Sequence, residues 1–454
     1  MVLNRYSGQR MSSLDNSPHW SAPERAQPLE HSLSLPGSKS LTNRELILAA
    51  LADGPSTIKR PLYSRDTRLM IDALRSLGAT ITEVPGDGAF GSDVSVTPIP
   101  PNHQVSASID CGLAGTVMRF VPPLGALVSG TIRFDGDIGA RRRPMGTTLD
   151  ALGQLGLEVD DEGRDTLPFS LTNSGKALGS EVAIDASASS QFVSGLLLMA
   201  ARLPEGLTVT HTGSELPSLP HIEMTIQCLR ARGVEVDSST PGVWRVSPGP
   251  IAARNVAIEP DLSNAAPFLA AALITGGRVS IEGWPTETTQ VGADIPRILE
   301  HFGATSEVSG TTLTLNGGAG WHHGATVPGV DMDLSHAGEL APTVIALAAL
   351  AHSPSVFRGI GHLRGHETDR LAALVENIRA LGGIAEETTD GLALTPAPLD
   401  GGIWKAFADH RMATSGALLG LAIRGVVIDD ISSTSKTLPE FPELWSGLVE
   451  SPAP

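Results

Sequence analysis

Cysteine, aromatic residues and positive charge are all scarce in this chain of 454 residues. Its two cysteines, Cys111 and Cys228, lack the spacing of a metal site, and a reducing cytoplasm is the expected compartment. Aromatic residues make up 4% of the chain against 41% hydrophobic residues, which is typical of small-residue helices packed on sheets. The 32 basic and 49 acidic residues give a net charge of -17, which argues against nucleic acid or an anionic membrane as a partner.

Long apolar runs are also missing. No run approaches the ~18 to 20 residues that a membrane helix needs, so no membrane span is expected. The first 30 residues mix Arg, Ser, Pro and acidic residues without an apolar core. We therefore predict a disordered leader over residues 1–30 rather than a signal peptide.

The chain has instead a strong internal repeat. Six helices that run apolar and give way to a short β-branched strand are predicted to begin at Ser40, Leu113, Ser190, Leu262, Ala337 and Asp409. A second helix between these starts ends at a glycine, which takes the C-terminal stop without strain: Gly78, Gly156, Gly233, Gly303 and Gly382. The starts are 72 to 77 residues apart, and this period indicates six supersecondary units. Six units divide most simply into two lobes of three, with a site in the cleft between them.

Several of the predicted helix starts carry Lys, Arg, Ser or Thr in the first turn. A helix N-terminus offers unpaired N–H groups and a partial positive charge, so it binds anions. If the six starts converge, they build an anion site.

Each motif at these starts also allows a plainer interpretation. Lys39, Ser40 and Arg44 suit a phosphate, but they are no Walker loop and would equally open a solvated, capped helix. Gly115 would let a ligand approach the backbone, with Arg119 one turn further on, although glycine before a helix is common.

Three later clusters of polar and charged residues also allow both a plain and a functional interpretation. Arg143 ends a run of three arginines that either lies in a solvated loop or covers a phosphate or carboxylate. The hydroxyls before Gln191 either cap a helix or bind phosphate oxygens, and no partner histidine follows at the spacing of a serine hydrolase. Cationic groups near the C-terminus are either surface charge or part of the same site: His410, Arg411 and Lys436.

The densest ionisable stretch lies between residues 362 and 370. His362 and His366 are four apart, as in a helical metal site, but a strand-to-helix turn is the favoured interpretation and no third ligand has a recognisable spacing. Glu367 and Arg370 suit an acid/base group and an anion clamp. The two aspartates that flank Met332 are either a magnesium pair or the polar face of a strand end.

In their order along the chain, these motifs resemble those of the 3-phosphoshikimate 1-carboxyvinyltransferase (5-enolpyruvylshikimate-3-phosphate synthase) family in its actinobacterial form. From about residue 33 to 446 the matching segments read PGSKSLTNR, LAGTVMR, RRRP, SSQF, LPSLPHI, GELAPT, RGHETDR, DHRMA and SKTLPEFP. The resemblance implies a two-lobed, inside-out α/β barrel of six βαβαββ units with the active site between the lobes. Lobe I would comprise residues 31–37 and 260–454, and lobe II residues 38–259, with chain crossings near Leu35–Lys39 and Glu259–Asp261.

The resemblance also implies the reaction. Members of the family join phosphoenolpyruvate to the 5-hydroxyl of shikimate 3-phosphate and release phosphate through a tetrahedral intermediate, without a metal or organic cofactor. We therefore expect these two substrates, glyphosate as an inhibitor, and a cytoplasmic monomer.

Site residues follow from the resemblance position by position. The positions that match the phosphoenolpyruvate site are Lys39, Gly115, Arg119, Arg143, Gln191, Arg370, Arg411 and Lys436. Those that match the shikimate 3-phosphate site are Lys39, Ser40, Arg44, Ser189, Ser190, Gln191, Ser218, Glu339, His362 and His366. The catalytic candidates are Glu367 near the methylene carbon, Glu339 toward the 5-hydroxyl, Lys39 and His410.

Four positions depart from the commoner bacterial pattern: Leu113, His221, Glu339 and His366 stand where many members have Asn, Tyr, Asp and Lys. The Leu113 side chain cannot bond a ligand, so any contact there must come from its backbone. Two alternatives stay open: UDP-N-acetylglucosamine 1-carboxyvinyltransferase, which typically has a cysteine about where Asp137 stands, and a non-catalytic phosphosugar-binding protein.

Overall fold

The protein is described from a computed structural model over residues 19–453, apart from residues 87, 102, 176–177, 215, 217 and 322–326. The α-helices are α1 (Lys39–Ala50), α2 (Arg65–Ser76), α3 (Gly115–Phe120), α4 (Gly146–Leu155), α5 (Gln191–Ala200), α6 (Leu219–Arg230), α7 (Leu262–Thr275), α8 (Ile295–Glu300), α9 (Ala341–Ala348), α10 (Arg370–Ala380), α11 (His410–Gly420) and α12 (Phe441–Val449). Within the described residues no helix is long and apolar enough to cross a membrane.

The strands are β1 (Trp20–Ser21), β2 (Leu29–Leu33), β3 (Ser56–Lys59), β4 (Thr80–Val84), β5 (Asp93–Thr97), β6 (Gln104–Asp110), β7 (Ser129–Asp135), β8 (Glu158–Asp160), β9 (Phe169–Asn173), β10 (Glu181–Ile184), β11 (Leu207–His211), β12 (Val236–Asp237), β13 (Val243–Val246), β14 (Val256–Ala257), β15 (Gly277–Glu282), β16 (Thr305–Ser309), β17 (Thr312–Asn316), β18 (Asp331–Asp333), β19 (Ser355–Arg358), β20 (Ile384–Glu387), β21 (Leu392–Thr395), β22 (Ile403–Trp404) and β23 (Val427–Ile428). They form one three-stranded and five four-stranded sheets within the described chain.

The sheets repeat one topology. In the order β6-β7-β9-β8 the first pair is parallel and the other two pairs are antiparallel, and the same holds for β10-β11-β13-β12 and β18-β19-β21-β20. A helix follows the first strand and another follows the second, which gives the βαβαββ unit. The prediction of a two-lobed α/β fold of six repeated units is confirmed.

Two sheets take a strand from a distant part of the chain. Strand β14 pairs in parallel with β3 in the sheet β14-β3-β5-β4, and β2 pairs in parallel with β15 in the sheet β16-β17-β15-β2. Next to these strands the two chain crossings lie side by side, where Gly37 bridges Pro260 and the Ser38 N–H donates to the Glu259 carbonyl over 2.8 Å. A Cβ at Gly37 would lie 2.3 Å from the Arg60 carbonyl oxygen, so this crossing requires glycine.

The apolar side chains form two separate cores. One contains buried residues between Leu46 and Ile258, and we call this part of the chain lobe II. The other, lobe I, combines Ala22–Leu35 with residues from Leu262 to Leu448. The central helix of each unit is buried nearly all round: every residue of α7 and α11 is buried, which suits the five alanines of α7 and the two alanines and two glycines of α11.

The prediction of a disordered leader over residues 1–30 is wrong for residues 19–30. Strand β1 pairs with β23, and the Ala22 Cβ packs where a side chain at Gly420 would clash. The Arg25 guanidinium donates to the Pro28 and Ser451 carbonyls at 2.8 and 2.6 Å, which ties this segment to the C-terminus. Residues 1–18 lie outside the described residues.

Candidate functional site

The beginnings of all six central helices meet at one cleft between the lobes. Lobe II contributes the starts of α1, α3 and α5, and lobe I contributes those of α7 and α11 and the short 3-10 helix Gly338–Leu340 that leads into α9. The lining residues at these starts are Lys39, Ser40, Gly115, Thr116, Ser189, Gln191, Asp261, Ser263, Glu339, His410 and Arg411. The predicted helix starts therefore converge on one cleft, and anion binding there stays a prediction.

Two buried guanidinium groups form the lobe II wall. Arg119 is 3% exposed and Arg143 8% exposed, and the Nε of each has no hydrogen-bond partner among the described residues. Arg119 donates to the Gln191 amide oxygen over 3.1 Å and lies over the Phe192 ring. Burial and the neighbouring Arg143 lower the pKa of Arg119 well below its ordinary value. Two like charges held together out of water make this wall a strong site for an anion.

Gly115 lies against the same pair. A Cβ built on it would come within 2.9 Å of an Arg143 Nη atom and 3.1 Å of an Arg119 Nη atom. Glycine therefore lets both guanidinium groups approach the start of α3.

The lobe I wall is centred on Glu367. Its carboxylate accepts from Lys436 Nζ at 2.5 Å and from Arg370 Nη2 at 3.0 Å. Burial alone would raise the pKa of Glu367, but Lys436, Arg370 and Arg143 together hold it well below its ordinary value. Glu367 is therefore a carboxylate at neutral pH, in contact with two cations.

Arg370 is held by a second acid, Asp409, which was predicted as a helix start but not as a site residue. Arg370 Nε and Nη2 donate to the two Asp409 oxygens at 2.8 and 3.2 Å, and Nη1 approaches His366 Nδ1 at 3.2 Å. Asp409 also caps α11 by accepting from the Arg411 N–H. The position of Asp409 within the DHRMA motif was a usable signal, since a helix-capping aspartate between cations is placed to orient them.

Two histidines on this side are neutral at pH 7. Burial, followed by the charge of Arg370, lowers the pKa of His366 well below its ordinary value. Burial, Arg411 and Lys39 do the same to the pKa of His410, whose Nδ1 has no hydrogen-bond partner among the described residues and lies 3.7 Å from Asp409 Oδ1.

Glu339 is a second carboxylate that lines the cleft. Its Oε2 accepts from Ser263 Oγ at 2.9 Å, its Oε1 lies 2.9 Å from His221 Nε2, and Arg411 Nη2 is 3.7 Å away. Burial acts to raise the pKa of Glu339, but His221, Arg411 and Lys39 lower it well below its ordinary value. The cleft thus holds two carboxylates, each with its own set of cations.

Lys39 is placed by the chain crossing. It is the first residue of α1, and its backbone N–H donates to Asp261 Oδ2 at 3.1 Å. Asp261 also caps α7 of lobe I through the Asn264 N–H. One carboxylate therefore holds the N-termini of helices from both lobes, beside the lysine side chain.

Of the residues predicted for the site, thirteen line the cleft: Lys39, Ser40, Gly115, Arg119, Arg143, Ser189, Gln191, Glu339, His366, Glu367, Arg370, His410 and Arg411. Lys436 is not among the lining residues, but its Nζ donates to Glu367, which lines the cleft. Three other predicted residues are not among those that line the cleft: Ser190 is the residue before α5, Ser218 precedes α6, and the His362 ring lies 5.9 Å from that of His366.

Arg44 is the clearest difference from the expected site. It is 1% exposed, and its nitrogens donate to Thr225 Oγ1 and to the Ser40 and His221 carbonyls at 2.8 to 2.9 Å. With its donors directed into lobe II, it does not reach the cleft in this structure. Its contact with a substrate stays a prediction.

At Leu113 any contact with a ligand was expected to come from the backbone, since the side chain is apolar. The Leu113 carbonyl accepts from Arg143 Nη1 at 3.2 Å and from Lys436 Nζ at 3.3 Å. Because Lys436 belongs to lobe I, this contact joins the two lobes beside Glu367.

The three aspartates for which the sequence left another function open have ordinary protein partners. Asp137 pairs with Arg65 at 2.8 Å, Asp331 pairs with Arg358, and Asp333 accepts from the Ser335 N–H. No group of three or more His, Cys, Asp or Glu side chains is arranged to hold a metal ion in the parts of the chain that the structure covers.

Comparison with known proteins gives one consistent result. The matching family is EPSP synthase (3-phosphoshikimate 1-carboxyvinyltransferase), over residues 23–445. A curated relative from Kocuria rhizophila, named 3-phosphoshikimate 1-carboxyvinyltransferase, is 53% identical over 436 residues, which cover 95% of this chain and 97% of the relative. Two structures of EPSP synthase from Acinetobacter baumannii are similar to this chain with TM-scores of 0.76 and 0.75, at 23% identity, over 94% of this chain and 97% of theirs. At that identity the structural likeness shows the fold alone.

Proposed function

The chain belongs to the EPSP synthase family and transfers the enolpyruvyl group of phosphoenolpyruvate to shikimate 3-phosphate in the shikimate pathway, and we propose that the interlobe cleft performs this reaction with the cations and carboxylates described above. The observation that carries the proposal is the convergence of six helix N-termini, their cations and two carboxylates on one cleft. Both substrates carry a phosphate and a carboxylate, so bringing them together requires this concentration of positive charge.

The reaction makes two proton demands on the site. In the addition, the acceptor 5-oxygen bonds to C2 of phosphoenolpyruvate, the methylene carbon gains a proton and the hydroxyl loses one. In the elimination, the bond from C2 to the phosphate oxygen breaks, the methyl carbon returns a proton and phosphate leaves. Two carboxylates at separate places suit these demands.

In our proposal the phosphoenolpyruvate anion lies between the two walls, held by Arg119, Arg143, Arg370, Arg411 and Lys436, with Lys39 and Gln191 beside it. The unpartnered Nε atoms of Arg119 and Arg143 support this arrangement. Shikimate 3-phosphate takes the end of the cleft near Glu339. The residues proposed to bind it are Lys39, Ser40, Arg44, Ser189, Ser190, Gln191, Ser218, Glu339, His362 and His366.

Glu367 then acquires its proton when the substrate arrives. Lys436 and Arg370 keep it ionised in the structure described here. A bound phosphoenolpyruvate competes for these cations and adds negative charge nearby, so the pKa of Glu367 rises. The protonated acid can then deliver its proton to the methylene carbon, while Glu339 takes the proton of the 5-hydroxyl and Lys39 shares in the transfers.

The test is phosphate release from phosphoenolpyruvate with each candidate acceptor. We expect release with shikimate 3-phosphate and none above background with UDP-N-acetylglucosamine. Release with the nucleotide sugar alone would assign the other carboxyvinyl transfer, and binding of the acceptor without release would assign a non-catalytic phosphosugar-binding protein.

A cytoplasmic monomer without a cofactor belongs to the same proposal. A single chain supplies both walls of the cleft, and its own cations provide the charge that the reaction needs. Elution as one chain of 47.2 kDa in size-exclusion chromatography, with activity unchanged by EDTA, is the expected result.

We expect glyphosate to compete with phosphoenolpyruvate, and Gly115→Ala to weaken glyphosate more than the substrate. The added methyl group would push against Arg119 and Arg143 and narrow the anion site on one side. Steady-state inhibition of the native and variant proteins measures the two effects. Unchanged inhibition in Gly115→Ala would place the inhibitor elsewhere.

We also expect shikimate 3-phosphate alone to draw the lobes together in solution. Cations on both sides repel one another, and an anion between them favours the closed form. Small-angle scattering should show a smaller radius of gyration on adding this substrate, and Ser189→Ala with Ser190→Ala should abolish the change. A constant radius in the native protein at saturating substrate would contradict this expectation.

A further inference from the structure

One side-chain contact joins the two lobes at the acceptor end of the cleft. His221 of α6, in lobe II, places its Nε2 2.9 Å from Oε1 of Glu339 in lobe I. Another contact across the cleft, between Lys436 of lobe I and the Leu113 carbonyl of lobe II, lies beside Glu367. Each carboxylate of the cleft therefore has an interlobe contact next to it.

The backbone of His221 is fixed by buried groups. Its carbonyl accepts from Arg44 Nη2 at 2.9 Å and from Thr225 Oγ1 at 3.0 Å, while Arg44 Nε donates to the same Thr225 hydroxyl. Arg44 and Thr225 are almost completely buried, so the first turn of α6 has little freedom. The imidazole is 14% exposed and projects from this rigid base toward lobe I.

The carboxylate of Glu339 has partners in both lobes. Ser263 and Arg411, which hold Oε2, belong to lobe I and stay with Glu339 however the lobes move. His221 is its one lobe II hydrogen-bond partner among the described residues. The orientation of Oε1 is therefore complete only when the lobes meet.

We propose that His221 is a positioning residue for the acceptor hydroxyl: it fixes the Glu339 carboxylate in the closed cleft so that removal of the 5-hydroxyl proton is tied to closure. The inference rests on the function proposed above. The hydroxyl proton moves to the Glu339 carboxylate as its oxygen bonds to C2, and His221 acts through Glu339 rather than on the substrate. Other charged or titratable groups that face this pair are Lys39, Arg44, His362, Arg370 and Arg411.

The test compares His221→Leu, which removes the hydrogen bond, with His221→Gln, whose amide N–H can occupy the place of Nε2. We expect His221→Leu to lower kcat by about 10- to 100-fold, with the Kd for shikimate 3-phosphate changed by less than about threefold. His221→Gln should recover most of that loss. His301→Leu, at an exposed position after α8, serves as the control for loss of a histidine.

A double-mutant cycle with Glu339→Gln completes the test. If His221 acts through Glu339, His221→Leu causes little further loss of kcat in that background. Losses that multiply, or a Kd for shikimate 3-phosphate that rises in step with the loss of kcat in both His221 variants, would overturn the proposal and make His221 a substrate ligand. The native protein is assayed first, so failure of the proposed function shows as absence of phosphate release there, before any variant is compared.

Discussion

Glu367→Gln should lower kcat by about 10²- to 10⁴-fold while both substrates still bind, because the variant keeps the shape of the side chain and removes its ability to carry a proton. The structure adds an expectation about affinity. Since Glu367 occupies Lys436 and Arg370 with its own negative charge, its loss frees both cations for phosphoenolpyruvate. The Kd for phosphoenolpyruvate should therefore stay equal or fall, as measured by calorimetry.

Glu376→Gln is the matched control, because Glu376 lies on α10 with half of its side chain exposed and pairs with Lys405. It should have near-native activity. A large loss of affinity for both substrates in Glu367→Gln would make Glu367 a structural residue of the lobe I wall, and native turnover would remove it from the reaction.

Arg119→Ala should weaken phosphoenolpyruvate binding by about 2 to 5 kcal/mol, the cost of losing one buried charged partner, and leave shikimate 3-phosphate binding nearly unchanged. Arg119 is buried beside Arg143, so the anion that bridges the two loses half of its clamp. Arg119→Lys should lose less than Ala but remain impaired, because an ammonium group cannot reproduce the planar donors of a guanidinium.

Arg141→Ala is the control for this prediction. Arg141 belongs to the same arginine run but is half exposed and pairs with Asp135 at the surface. The loss of the Arg141 side chain should change the binding free energy of either substrate by less than about 1 kcal/mol. Equal weakening of both substrates by Arg119→Ala would contradict the assignment of this wall to phosphoenolpyruvate.

The local features of the fold were predictable from the sequence. Five of the six central helix starts, counting the 3-10 turn at Gly338, lie within one residue of the predicted positions. The sixth, predicted at Leu113, begins two residues later at Gly115. The five glycines that end the second helices all have positive φ, from 78° at Gly233 to 107° at Gly78. Both features depend on short-range backbone chemistry, which the sequence expresses directly.

Long-range contacts were less predictable. Strand β1 is two residues long and gains stability only by pairing with β23, so no periodicity marks it. The contacts of Asp409 with Arg370 and of His221 with Glu339 link residues that are far apart in the chain and have no local pattern. Arg44 is a different case: a motif position identified it as a substrate contact, and the motif gave no sign that Thr225 and Ser40 would accept hydrogen bonds from its guanidinium inside lobe II.

Because β14 pairs with β3 and β2 pairs with β15, the two lobes can complete their folding at different times during synthesis. Lobe II receives its last strand, β14, by residue 257, so its whole core can emerge from the ribosome before the helices of lobe I have emerged. Lobe I begins with β1 and β2 but must wait for β15 and β23, the latter close to the end of the chain. Vectorial folding should therefore complete lobe II first, while the N-terminal strands of lobe I remain unpaired, and the catalytic cleft forms last.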